Sequence, residues 1–201
     1  MDGGAIYFVD NNTRVIVDGC KFRDNSATLN GGAIMGTAGS SDVINLTVQN
    51  SAFDNNSTPT RGGAIRIKDI QAIFDNNYFT GNTAGSGGAL SLEGGNIAWE
   101  TLTANTTFTN NTFVSNTPAT SVVYTEYDVN GAGNNVAGDF STACGSVNAT
   151  PIKSYGFLNF SGNKFTSSVA NWTAGGAGTT VVNSAGTMQI DATDKGYVYR
   201  N

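Results

Sequence analysis

Few residues in this chain could do chemistry, and their types exclude more than they allow. There is no histidine. No Ser-His-Asp or Cys-His nucleophile can therefore be built, nor a His-ligated zinc or haem site. Two cysteines, Cys20 and Cys144, cannot make a four-cysteine metal site or a disulfide framework. Asp10, Asp18, Asp24, Asp54 and Asp75 stand near turns, often beside asparagine, where carboxylates could ligate calcium. They scatter over different turn positions, so solvated turn caps are the better reading. No cofactor is expected, and structural calcium is the one metal the residue types leave open. Thr101-Leu102-Thr103 and Thr106-Thr107-Phe108-Thr109 would suit an ice-binding face only if Thr-x-Thr recurred in register, which it does not. Trp99 and Trp172 could stack on sugars, although packing in a core or loop is the simpler reading.

These residues need a scaffold, and the composition bounds it. A length of 201 residues suits one domain or one long repeat array. Hydrophobic residues at 39% suffice for a core. Charged residues at 12% are about half the usual share. The net charge of −5 argues against a nucleic-acid partner, which needs a basic face. No apolar run approaches the roughly 18 residues of a membrane span.

Internal repeats dominate. Four segments open alike: Gly3-Gly4-Ala5-Ile6, Gly31-Gly32-Ala33-Ile34, Gly62-Gly63-Ala64-Ile65 and Gly87-Gly88-Ala89-Leu90. Gly175-Gly176-Ala177 is a worn copy. Between them recurs Phe-x-x-Asn: Phe22 with Asn25, Phe53 with Asn56, Phe79 with Asn82, and Phe113 with Asn116. Phe165 with Ser168 is a degenerate fifth. The two signatures keep nearly constant phase, with periods from 25 (Gly62 to Gly87) to 31 (Gly31 to Gly62), as in solenoids.

Aligning the copies on the Phe places Val17, Val48, Phe74, Phe108 and Phe160 five residues before it. Val15, Leu46, Ala72, Thr106 and Leu158 stand seven before, with mostly polar residues in between. That alternation reads as a strand, closed by a turn at Gly19, Asn50, Asn76, Asn110 and Gly162, then a second strand. The segment after Gly-Gly-Ala alternates too, with Ile65 and Ile67 against Arg66 and Lys68. Like residues at like positions predict an all-β parallel β-helix of about five to six coils, with side chains laddered at about 4.8 Å. Phe22, Phe53, Phe79, Phe113 and Phe165 form its expected core ladder. Asparagines two before and three after the Phe belong at bends, where amides satisfy turn backbone. Gly-Gly-Ala belongs where backbone crowds inward and no side chain fits.

Gly-Gly-Ala-Ile followed by Phe-x-x-Asn resembles the repeat of the chlamydial polymorphic outer-membrane proteins. The resemblance covers about residues 3–120, with a weak return at 155–180. It implies a right-handed parallel β-helix and an extracellular or cell-surface role such as adhesion or display, and it supplies no catalytic residues. The chain shows no β-barrel translocator, so self-export is not expected. Arg66-Ile67-Lys68 also matches the Arg-Ile-Lys string of β-helical polygalacturonases. Those enzymes need clustered aspartates and a His-Gly motif, both missing here, so an outward Arg and Lys around an inward Ile67 is the better reading.

The chain is expected to form a single domain, 1–201, with one long loop excursion over about 125–154. Thr120-Ser121-Val122-Val123 replaces Gly-Gly-Ala-Ile just before it. Cys144 falls in that excursion and Cys20 at a first-coil bend, so a disulfide between them needs the loop to fold back. Free cysteines and an intermolecular bond stay open. Asn-x-Ser/Thr sequons mildly exceed the roughly five expected by chance. Asn45, Asn105 and Asn159 take outward strand positions and are the foremost glycan candidates, with Asn11, Asn148 and Asn171 beside them. Asn56 should be shielded in the bend ladder.

The ends carry the functional expectation. A repeat begins at residue 3 with no polar cap or signal peptide before it, and strand-like alternation runs to the end. Solenoids need caps to block end-to-end pairing. Ile6 and Phe8 at one end, with Met188, Ile190, Tyr197 and Tyr199 at the other, are therefore expected to meet between copies. The reading is a non-catalytic extracellular structural protein, assembling head to tail into a fibre or surface layer and carrying glycans. A monomeric adhesin or glycan-binding module is the alternative. A polysaccharide lyase or hydrolase would need an acidic cluster on one face, which the aligned coils do not show.

Overall fold

The structure, a computed structural model, describes residues 1–9, 14–38, 44–94, 106–125, 129–137 and 140–143, and the strands at 157–161, 164–166, 174–175 and 179–182. Each coil contributes three short strands. Coil 1 holds β1 (Ile6–Val9), β2 (Arg14–Asp18) and β3 (Lys21–Arg23). Coil 2 holds β4 (Ile34–Thr37), β5 (Ile44–Gln49) and β6 (Ala52–Asp54). Coil 3 holds β7 (Ile65–Lys68), β8 (Ile70–Asp75) and β9 (Tyr78–Thr80). Coil 4 holds β10 (Leu90–Glu93), β11 (Thr107–Thr109) and β12 (Thr112–Val114). Coil 5 holds β13 (Val123–Thr125), β14 (Val129–Ala132) and β15 (Asn135–Ala137). Coil 6 holds β16 (Phe140–Ala143), β17 (Phe157–Ser161) and β18 (Lys164–Thr166).

First strands stack on first strands, second on second and third on third, all parallel. Three sheets result, and the fold is a parallel β-helix. After coil 6 the first sheet changes direction: β20 (Thr179–Val182) pairs antiparallel with β16, and β19 (Ala174–Gly175) with β20. Among the described residues there is no α-helix, only a 3₁₀ turn at Ala119–Ser121.

Side chains pointing inward from all three sheets fill the column. Phe22, Phe53, Phe79 and Phe113 stack nearly face to face, with ring centroids 4.9 Å apart at each step. Phe74 and Phe108 make a second stack at 5.0 Å. Ile34, Ile65, Leu90 and Val123 line the first sheet, all fully buried.

The six coils fall within the expected five to six, but part of the expected loop excursion is strand. Residues 129–143, expected inside an excursion over 125–154, supply β14, β15 and β16. The next rung after Phe113 is Val136, and Phe165 follows Val136 as the sixth rung. Coil 5 is hidden in the sequence because valine replaces the ring, Gly133 makes the bend, and Val122-Val123 takes the place of Ala-Ile. A buried apolar side chain is all the rung requires, and Val136 is fully buried. The rest of the expected excursion, 144–154, lies outside the described residues.

The Gly-Gly corner has two separate causes. The first glycine is left-handed, with φ near +60 to +70° at Gly3, Gly31, Gly62 and Gly87. The second has no room: a Cβ on Gly32 or Gly63 would lie 2.0 Å from the carbonyl oxygen of the equivalent glycine one coil on. The outer bends use asparagine instead, with φ of 51, 52 and 54° at Asn50, Asn76 and Asn110.

Candidate functional site

Two asparagine ladders run along the corners and set the direction of the column. In the ladder three residues after the ring, each Oδ1 accepts two bonds from the coil before it. Asn56 Oδ1 accepts Asn25 N–H at 3.1 Å and Asn25 Nδ2 at 2.8 Å. Asn82 serves Asn56 at 3.0 and 2.9 Å, and Asn116 serves Asn82 at 3.1 and 2.9 Å. The second Nδ2 proton goes back one coil, from Asn56 to the Phe22 carbonyl, from Asn82 to Phe53 and from Asn116 to Phe79. Asn77, Asn111 and Asn134 repeat this pattern two residues before the ring. That second ladder fades toward coil 1: Cys20 N–H donates to Ser51 Oγ at 3.0 Å. The Cys20 thiol is exposed and donates to the Asp18 carbonyl. Cys144 lies outside the described residues.

Among the described residues, coil 1 stands at one edge of each of the three sheets. Strands β1, β2 and β3 each have one neighbour, in coil 2. The inward side chains Ile6, Phe8, Val15 and Phe22 are only partly buried, whereas their counterparts in coils 2 and 3 are covered. Phe8 lies over Gly36, where a Cβ would sit 2.3 Å from the ring. The other expected assembly residues, Met188, Ile190, Tyr197 and Tyr199, lie outside the described residues.

A charged cluster sits on the outer face of the first sheet. Glu93 and Ser91 face outward by alternation yet are buried. Arg66 grips the Glu93 carboxylate as a fork, Nε to Oε1 at 2.6 Å and Nη2 to Oε2 at 2.5 Å. Arg61 Nη1 lies 3.2 Å from Oε2, and Ser91 Oγ donates to Oε1 at 3.0 Å. The Arg61 guanidinium also covers the Tyr124 ring, 5.0 Å from its centroid. Arg66 is therefore a structural partner of Glu93. The alternation that turns Arg66 outward turns Glu93 outward too, but their contact is diagonal across adjacent strands.

Burial pushes the Glu93 carboxyl up, but the hydrogen bond and charge of Arg66, the charge of Arg61 and the Ser91 hydroxyl outweigh it. The net effect holds the group below the ordinary glutamate value. A carboxyl depressed in the folded state stabilises it above the unfolded pKa, and that contribution disappears as pH falls through the folded one. Thermal melts should therefore show wild type well above Glu93→Gln at neutral pH. The gap should close as pH falls below about 4. A gap independent of pH would mean that Glu93 acts by packing alone.

The remaining sequence candidates separate clearly. Asn56 is fully buried in the ladder. Asn45 is on β5, in register with Arg14 and Gln71, and Asn159 is on β17. Asn11, Asn105, Asn148 and Asn171 lie outside the described residues. Asp18 is exposed and accepts bonds from Asn50 and Gln49, which hold its carboxyl below the ordinary value. Among the described residues no group of three or more His, Cys, Asp or Glu could hold a metal ion. No described helix is long and apolar enough to cross a membrane.

A column of Phe rungs, asparagine corners and Gly-Gly bends defines a parallel β-helix of the Phe-x-x-Asn repeat class. Residues 19–37, 50–68 and 78–93 match the family model of the Chlamydia polymorphic membrane protein (Chlamydia_PMP) repeat. The first two matches run from the outer bend, past ring and ladder asparagine, to the end of the next first-sheet strand, and the third begins at β9. No curated protein and no solved structure matches the chain.

Proposed function

We propose that the chain is a non-catalytic structural column of an extracellular or outer cell surface, assembling head to tail between copies. The observation that carries this reading is the column itself, in which stacked rings and asparagine amides repeat in register from coil to coil. The repeat match supports the surface setting, because the matched family is described as one of membrane proteins. Side chains of the chemistry-bearing kinds are spent on structure: Arg66 and Glu93 on each other, the asparagines on the corners.

Light scattering and negative-stain imaging at micromolar concentration test the assembly. Ile6 N–H donates to the Ala33 carbonyl at 3.0 Å. Ile6→Pro deletes that bond and disturbs the edge, so it should shorten polymers while inner coils stay folded. A wild-type chain that remains monomeric would favour the second reading, a surface adhesin or glycan-binding module. The exposed rings of Tyr7 and Tyr78 favour that reading.

Glycosylation belongs to the same proposal. In material from a eukaryotic source, Asn45, Asn105 and Asn159 should carry sugar more often than Asn56. Intact glycopeptide mass spectrometry reads this directly. Sugar on Asn56 with none on the other three would reverse the argument from facing.

A further inference from the structure

We infer that the outer face of the second sheet is a side-by-side contact between two copies of this chain, with the columns parallel and coil facing coil. This goes beyond end-to-end assembly and does not rest on it. Three rows run down the face formed by β2, β5, β8 and β11. The middle row is Ile16, Thr47, Ile73 and Thr107, in register and all β-branched. Ile73 is flanked by Thr47 and Thr107 from the coils on both sides and is still 44% exposed; Ile16 is 54% exposed. Scattered apolar residues are normal on a surface, but a row in register is not scattered. One margin begins with Arg14, with Asn45 and Gln71 in register. The other holds Asp18, Gln49, Asp75 and Thr109. The first sheet spends its outward charges on the Glu93 cluster, and the third pairs Arg23 with Asp54. Arg14 is exposed and, among the described residues, has no ion-pair partner.

Charge decides how two such faces meet. A two-fold axis parallel to the column, through the middle row, keeps coils at matching heights and sets each margin against the other. Arg14 then faces the second copy's Asp18, twice by symmetry, and the isoleucines meet across the axis. A two-fold axis across the column would instead set Asp18 against the second copy's Asp75. The acid margin is ordered before any partner arrives: Asp18 accepts from Asn50 and Gln49 at 2.9 Å each, and Asp75 from Thr109 at 2.7 Å. Sheets facing each other at about 10 Å interlock side chains of this size. The face is narrow beside a standard interface, so the pair is weak and forms at high protein concentration. Asn45 is in register with Arg14, so sugar there would keep the copies apart.

Cysteine cross-linking of the full, unglycosylated chain tests the contact, with Cys20 and Cys144 changed to serine and a short bismaleimide as the probe. Ile73→Cys should cross-link to itself. Tyr78→Cys, exposed on the third sheet, is the reference for chance collision. Adding Arg14→Glu to the Ile73→Cys chain should cut the yield about tenfold, the scale of two exposed attractions turned repulsive. Adding Asp18→Lys as well should restore it, and circular dichroism checks that each variant keeps its strands. A yield for Ile73→Cys no higher than for Tyr78→Cys would overturn the contact. A yield indifferent to Arg14→Glu would overturn the parallel order, as would Ile16→Cys chains joining Ile73→Cys chains more readily than Ile73→Cys joins itself.

Discussion

Phe79→Ala should lower the free energy of unfolding by about 3–5 kcal/mol, the range for removing a buried ring from a packed core. Phe79 is fully buried. Its ring lies 4.9 Å from Phe53 on one side and 4.9 Å from Phe113 on the other, within 10° of parallel to both. Those neighbours are fixed by their own strands in register, so they cannot close on the space left behind. The change also falls mid-column, where each coil contacts only its neighbours. Urea titration by circular dichroism would measure the loss. A loss below about 1 kcal/mol would mean that the stack is not the main support.

Asn82→Leu should cost at least as much, although leucine is apolar and of similar size. Asn82 is fully buried. Its removal strands Asn56 N–H and one Asn56 Nδ2 proton, and takes one bond from the Phe53 carbonyl. Each stranded buried group costs about 1–3 kcal/mol. The same titration decides the matter, with exposed Asn76→Gly as a reference expected within about 0.5 kcal/mol of wild type. A milder effect for Asn82→Leu than for Phe79→Ala would show that water reaches the corner and satisfies the stranded groups.

The repeat was legible wherever it was spelled in side chains that geometry demands. Ring, asparagine and paired glycines recur at fixed phase because a stacked ring, a corner amide and a close backbone approach each admit few residue types. Coil 5 was not legible for the converse reason. Its rung needs only an apolar side chain, and Val136 suffices; its bend needs a left-handed residue, and Gly133 serves as well as asparagine. The signal that survives there is Asn134, two residues before the rung, which accepts from Asn111 N–H at 3.0 Å. The Glu93 cluster depends on a diagonal approach between adjacent strands, which alternation alone does not specify. The direction of the asparagine ladders needed hydrogen-bond geometry.

The ladders also determine how such a column responds to force. Backbone bonds between coils, such as Ala52 N–H to the Cys20 carbonyl and Tyr78 N–H to the Ser51 carbonyl, run along the axis. Tension along the axis at coil 1 therefore loads the bonds of one coil interface at a time, and the column yields by peeling from its end at modest force. Tension across the axis, along the strands, loads a whole ladder in shear, and its bonds must fail together. A column standing upright on a surface would thus lose end coils singly under pull while resisting sideways drag, and coils 2 to 4 would each present an asparagine and a ring in turn.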